Sequence, residues 1–153
     1  MKTRCLIVDD EPLAQRVIES HMEKLDDLQL VAKCSNAIEA MSMLKSEHID
    51  LIFLDIEMPE MNGIEATIAL KAEFPDVPVI ALTIFNEDHL IIDMLEAGAS
   101  GYILKNVESA ELAAAIRTVV RGGNHYCSQT SIRQSKLIAH SSFYKKPSIP
   151  LSD

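Results

Sequence analysis

The chain has 153 residues, 48% of them apolar and 24% charged, with a net charge of −9. That length allows one domain with a sizeable core, or one domain with an extension. No apolar run approaches the roughly 20 residues of a membrane span. The opening "MKTRCLIVDDEP" meets acids almost at once, too soon for a signal peptide.

Charge divides the chain. Residues 1–125 carry 10 Lys/Arg against 22 Asp/Glu, a net of −12, whereas residues 126–153 carry Arg133, Lys136, Lys145 and Lys146 against Asp153 alone. So acidic a body repels a phosphate backbone, which argues against strong nucleic-acid binding by these residues themselves. Cys5, Cys34 and Cys127 show neither CxxC nor metal-ligand spacing. They read as small apolar thiols in a reducing cytoplasm.

Short apolar runs alternate with helix-period stretches. Strands are expected over 5–8, 28–32, 49–54, 77–82 and 101–104. The first helical stretch carries Leu13, Val17, Ile18, Met22 and Leu25, with Pro12 in its first turn. The second carries Ala37, Met41 and Leu44, with Asn36 and Glu39 at capping-box spacing. Asn62 and Glu65 repeat that spacing before a third, with Ile64 and Ile68 on its apolar side. A fourth covers about 86–97 and stops at Gly98, and a fifth, with Leu112, Ile116, Val119 and Val120, stops at Gly122-Gly123. Strands alternating with helices over short connections define an α/β fold: a doubly wound, five-stranded parallel sheet covered on both faces. Residues 1–123 form this domain. Residues 124–153, rich in Ser, Gln and Lys, read as a linker.

In such a sheet ligands bind at the carboxyl ends of the strands. Strand one ends at Asp9-Asp10, strand three at Asp55 and strand four at Thr83, while strand five leads through Tyr102 to Lys105. Crowded carboxylates repel unless a cation neutralises them. A hard divalent ion such as Mg²⁺ suits an all-oxygen set. With a lysine and a hydroxyl opposite, one carboxylate could attack phosphorus and form an aspartyl phosphate. Each residue alone has a plainer reading: Asp10 starts a helix, Asp55 a turn, Thr83 ends a strand, and Lys105 is solvated surface. Their joint position at successive strand ends tips the balance.

Four stretches, "LIVDDEP", "LIFLDIEMPEMNG", "ALT" and "GASGYILK", together resemble a response-regulator receiver domain, over about residues 3–123. The resemblance implies a flavodoxin-like sheet of order 2-1-3-4-5. It makes Asp55 the phosphoacceptor, with Thr83 and Lys105 on the phosphoryl oxygens. Mg²⁺ would be held by Asp10, Asp55 and the backbone carbonyl of Glu57, with Asp9 acting through water. Thr83 and Tyr102 would form the switch. The implied partner is a sensor histidine kinase, with homodimerisation possible on phosphorylation. The stretch "MLEAGASGYILKNVESAELAAAIRTVVRGGNHY" is similar to receivers of the NarL/LuxR class, which carry a C-terminal helix-turn-helix domain. "PLSD" resembles the opening of that domain, so the chain is expected to stop just before a DNA-binding half that controls transcription, and to touch DNA only through it. The first third, "CLIVDDEPLAQRVIESHMEKL", looks more like receivers paired with LytTR domains.

There are departures. Asn106 stands where many receivers have a proline after a cis bond, and a trans peptide is expected there because a non-proline cis bond costs a few kcal/mol. Ile84, bulkier than the Ala or Gly common after the switch threonine, is expected to restrict Tyr102. Glu57 and Phe85 are expected to line the path of the water that hydrolyses the phosphate.

Three rival readings compete with this one. A haloacid-dehalogenase-type phosphatase wants a second Asp two positions after its nucleophile, where Glu57 stands. A flavodoxin-like cofactor binder wants a phosphate cradle after strand one, where "DDEPLA" is acidic. A stand-alone receiver or phosphorelay protein acting through protein contacts remains the alternative. The five histidines show no ligand spacing, the methionines read as gap-fillers, and Lys145-Lys146 as a solvated pair.

Overall fold

A computed structural model describes residues 2–58, 61–84 and 88–125. Five strands and five helices alternate: β1 (Thr3–Val8), α1 (Pro12–Met22), β2 (Leu28–Cys34), α2 (Ala37–Ser46), β3 (Leu51–Asp55), α3 (Gly63–Glu73), β4 (Val79–Thr83), α4 (Asp88–Ala97), β5 (Gly101–Leu104) and α5 (Ser109–Val120). The sheet order is β2-β1-β3-β4-β5 and every pairing is parallel, as the resemblance implied.

Strand alternation splits the core in two. Leu6, Val8, Ile52, Leu54, Val79, Ala81, Tyr102 and Leu104 face α2, α3 and α4. Cys5, Ile7, Leu51, Phe53, Ile80, Leu82 and Ile103 face α1 and α5. β3 and β4 are buried along their whole length, which explains their unbroken apolar runs. β3 and β4 each begin two residues later than the sequence pattern suggests, and their last residues are Asp55 and Thr83. β2 runs on to Cys34.

The helix signals act as anticipated at most ends. Pro12 opens α1, and Asn62 with Glu65 forms a full capping box on α3. Asn36 caps α2 by accepting from Glu39 N–H, but the Glu39 carboxylate reaches back to Ser35 N–H, so only half of that box forms. Gly98 ends α4 with φ +122°, a conformation that favours glycine.

Two helix faces differ from the periodicity reading. α3 buries Gly63, Ala66, Thr67 and Leu70 and leaves Ile68 exposed. It lies so close to the end of β3 that small residues, and not the bulkiest apolar ones, fit there: a Cβ on Gly63 would collide with the Asp55 carbonyl oxygen and stand 2.7 Å from Ile56 Cα. α1 buries Gln15, Ile18 and Met22, while Leu13 and Val17 are exposed.

Packing continues past the double glycine. His125 pairs with the outer edge of β5, donating to Ser100 O at 3.0 Å and accepting from Tyr102 N–H at 3.1 Å. The linker reading, from residue 126 onward, lies outside the described residues, as do Cys127, Lys145-Lys146 and Phe85. Among the described residues no peptide bond is cis, so Lys105–Asn106 is trans. No described helix is long and apolar enough to cross a membrane.

Candidate functional site

The carboxyl ends of β1, β3, β4 and β5 converge on one rim. Asp9 follows β1, Asp55 and Thr83 are the last residues of β3 and β4, and Lys105 follows β5. The register carries this convergence, because Asp55 pairs with Leu82 and Thr83 with Leu104. Lys105 N–H then donates to the Thr83 carbonyl at 2.8 Å, which turns the lysine stem back over the rim.

Lys105 Nζ sits 2.8 Å from Asp9 Oδ2, 3.2 Å from Asp55 Oδ1 and 3.5 Å from Glu11 Oε1. The plain reading of Lys105 as solvated surface therefore falls, since its side chain is only 11% exposed. Asp9 is fully buried. Its Oδ1 accepts from Glu11 N–H at 2.9 Å, so Asp9, and not Asp10, ties down the start of α1. Among the described residues its Oδ2 is paired with the Lys105 ammonium alone. Asp10 is exposed, with one carboxylate oxygen already turned toward those of Asp9 and Asp55.

Electrostatics at the rim pull in both directions. Burial, then the Asp9 charge, push the Asp55 carboxyl up to about 7, against the pull of the Lys105 ammonium and the Glu57 N–H that donates to Asp55 Oδ1 at 3.2 Å. Burial alone would lower Lys105, but its bond to Asp9 and the charges of Asp55 and Asp9 outweigh that and hold it above its ordinary value. The group carries more negative than positive charge in little water. Such a cluster is a functional-site signature.

The cluster also fits a hard cation. One oxygen from each of Asp9, Asp10 and Asp55 lies within 4.8 Å of the others. Asp9 Oδ2 is a buried acceptor with capacity to spare, and the donor set is all oxygen, which suits Mg²⁺ with retained waters. Beside it opens a cavity of about 200 Å³ lined by Asp10, Asp55, Glu57, Thr83, Ile84 and Lys105 among others. A cavity of that size leaves room for a partly hydrated ion and a phosphoryl group.

Tyr102 is fully buried on the α2-α3-α4 side, in the same cluster as Ile91, Met94 and Leu95. Thr83 lies two residues beyond Ala81, the register partner of Tyr102, and so shares its sheet face. Ile84 is 55% exposed and borders both the rim cavity and a second groove, of about 370 Å³, with Leu13, Ala14, Val17, Lys105 and Asn106. The sequence reading missed this groove and also Gln15, a buried amide on the inner stripe of α1. A polar residue at the i−3 position to Ile18 and i−7 to Met22 was the available signal.

The fold and the acidic rim together define a signalling receiver domain. Residues 5–117 match the response regulator receiver domain family, and the chain belongs to it. It is 34% identical over 120 residues to the transcriptional regulatory protein LnrK of Bacillus subtilis, covering 78% of this chain and 54% of that protein. It is also 34% identical over 126 residues to the response regulator GacA of Pseudomonas viridiflava, covering 82% of this chain and 59% of that protein. A crystal structure of a LuxR-family two-component response regulator from Aurantimonas superposes with a TM-score of 0.78 at 27% identity, over 88% of this chain and 94% of that one. These relatives bear out the NarL/LuxR likeness. The chain spans just over half the length of LnrK and GacA.

Proposed function

We propose that this chain is the phosphorylation-activated receiver of a cytoplasmic response regulator, taking its phosphoryl group on Asp55 from a partner histidine kinase. The observation that carries the reading is Asp55 itself: a buried carboxyl at a strand end, faced by Asp9 and by the Lys105 ammonium, beside a polar cavity. An Asp55 oxygen attacks phosphorus in line with the leaving nitrogen of a phosphohistidine, forming one O–P bond as the P–N bond breaks. Lys105 Nζ and the Thr83 hydroxyl take up the phosphoryl oxygens, and Asp9 holds the ammonium in place. Asp10, Asp55 and the Glu57 carbonyl, with Asp9 through water, would hold Mg²⁺. The ion supplies charge neutralisation for the phosphoryl oxygens. The chain serves as phosphoacceptor in its own modification and is not an enzyme acting on a separate substrate.

Phosphorylation adds charge and acceptor oxygens at the rim. Thr83 then moves toward them and Tyr102 settles behind it, reshaping the α4–β5–α5 surface. The relatives LnrK and DegU are transcriptional regulatory proteins. We take the output here to be transcription control through a DNA-binding domain beyond the linker that follows His125, with homodimerisation on phosphorylation. Leu13 and Val17 beside Lys105 give the kinase an apolar landing face next to the acceptor.

The test is intact mass after incubation with Mg²⁺ and a small acyl-phosphate donor. Wild type is expected to gain one phosphoryl group and Asp55→Asn none. If both remain unmodified with the donor intact and the fold verified, the reading fails.

A further inference from the structure

Gln15 is a polar side chain only 9% exposed, on the inward stripe of α1. Its amide nitrogen donates to the Asp9 carbonyl at 2.6 Å and to the Cys34 carbonyl at 3.1 Å, both bonds buried. The Cys34 carbonyl also accepts the Asp9 N–H at 3.0 Å. One side chain thus clamps the end of β1 to the end of β2 and to α1, at the residue that begins the acidic pair.

We propose that Gln15 is a positioning residue for the Asp9–Asp10 pair, setting the peptide between them and with it the direction of the Asp10 carboxylate. This rests on the reading of that pair as the Mg²⁺ site. Each Asp9 carboxylate oxygen has one anchor, Oδ1 in the Glu11 N–H and Oδ2 in the Lys105 ammonium. The unanchored member is Asp10, and the carbonyl just before it is the one Gln15 holds. Pro12, with no N–H and a fixed φ, stiffens the far side of the same short connection. The side chain supplies one donor to each of two carbonyls.

Gln15 could instead be simple glue between α1 and the sheet, and the experiment separates the two roles. Mg²⁺ binding is measured by amide NMR shifts in wild type, Gln15→Leu, Gln15→Arg and Leu44→Ala, the last a core change on α2 that lowers stability away from the rim. Gln15→Leu is expected to weaken Mg²⁺ binding by about tenfold or more, the usual effect of losing a residue that orients a metal ligand. Gln15→Arg, which keeps donors, should bind more nearly like wild type, and Leu44→Ala should match wild type. In metal-free protein the Asp9 and Glu11 amides should exchange faster in Gln15→Leu than in Leu44→Ala. Equal Mg²⁺ affinity in Gln15→Leu and wild type, or equal loss in Gln15→Leu and Leu44→Ala, would overturn the proposal. If the wild type binds no Mg²⁺ while Asp55 still accepts phosphate, the metal reading and this inference fall together.

Discussion

Lys105 Nζ lies 3.2 Å from Asp55 Oδ1, yet the Asp55 carboxyl is still pushed up to about 7 by burial and by Asp9. In the unfolded chain the same carboxyl ionises near its ordinary value of 3.8. Between those two values the folded state binds more protons than the unfolded state, so stability falls as pH rises. In metal-free protein, Asp55→Asn is therefore expected to raise the thermal midpoint at pH 8 and to lose that advantage progressively as pH drops toward 4. Melting curves across that range decide it. A midpoint difference independent of pH would mean that Asp55 titrates normally.

Removing the cation from this cluster should do the reverse. Lys105→Met leaves Asp9 and Asp55 facing each other without their shared partner, and breaking a buried pair costs about 3–5 kcal/mol. Its raised value means that Lys105 contributes stability below its ordinary value of 10.5, which is lost as pH climbs through the higher folded value. The variant should be destabilised most at pH 8, with the Asp55 carboxyl driven above its wild-type value in carboxyl NMR titrations. Added Mg²⁺ should restore part of the loss. A variant as stable as wild type at pH 8 would show that the ammonium is not what holds the carboxylates together.

Gly63 tests how tightly α3 is set against the acceptor. A methyl there meets the Asp55 carbonyl oxygen and Ile56 Cα, which are backbone and cannot swing aside. Gly63→Ala is expected to cost about 1–3 kcal/mol in denaturant unfolding, the range for overpacking, and to slow phosphorylation by the acyl-phosphate donor because β3's last residue must shift. The helix-propensity gain of alanine, about 1 kcal/mol, works in the opposite direction. A more stable Gly63→Ala protein with an unchanged rate would mean that α3 has room to retreat.

The same helix marks the boundary of what the sequence could reveal. Strand ends and the rim residues Asp9, Asp55, Thr83 and Lys105 were legible because buried apolar runs follow directly from residue type, whereas the sheet order came only from the resemblance to receiver domains. In α3 the deciding variable was size. Gly63, Ala66 and Thr67 pack because they are small, and Ile68 is left outside at 56% exposure. Leu13, equally apolar, is 79% exposed, while polar Gln15 is buried with its amide donating to the Asp9 and Cys34 carbonyls. Contacts of that kind depend on which loops meet at the rim, and a hydropathy pattern holds no record of them.

The buried thiols offer a check on the same packing. Burial pushes Cys5 up to about 12 and Cys34 to about 11, with nearby carboxylates adding to the shift. The thiolate is the reactive form. Alkylation at pH 8 should therefore leave Cys5 and Cys34 untouched in native protein and label them once it is unfolded, as peptide mass mapping would show. Rapid native labelling of Cys34 would mean that the end of β2, clamped by Gln15, opens readily.

Leu13 and Val17 offer the sharpest separation of chemistry from recognition. Both are exposed on α1, and with Ile84 they border Lys105 without contributing to either core cluster. Substituting surface residues away from caps and cores usually changes stability by no more than about 0.5 kcal/mol. The double change Leu13→Ser, Val17→Ser should melt within a few degrees of wild type and accept phosphate from a small acyl-phosphate donor at the wild-type rate. A small donor needs only the rim. A kinase must seat its phosphohistidine over Asp55 against an apolar neighbour, so the rate of transfer from the phosphorylated kinase should fall by about tenfold or more, as for loss of roughly 1.4 kcal/mol or more of interface energy. Equal losses with both donors would place the fault in the rim itself. Undiminished transfer from the kinase would remove this face from the docking surface and leave its exposed leucine and valine without a partner.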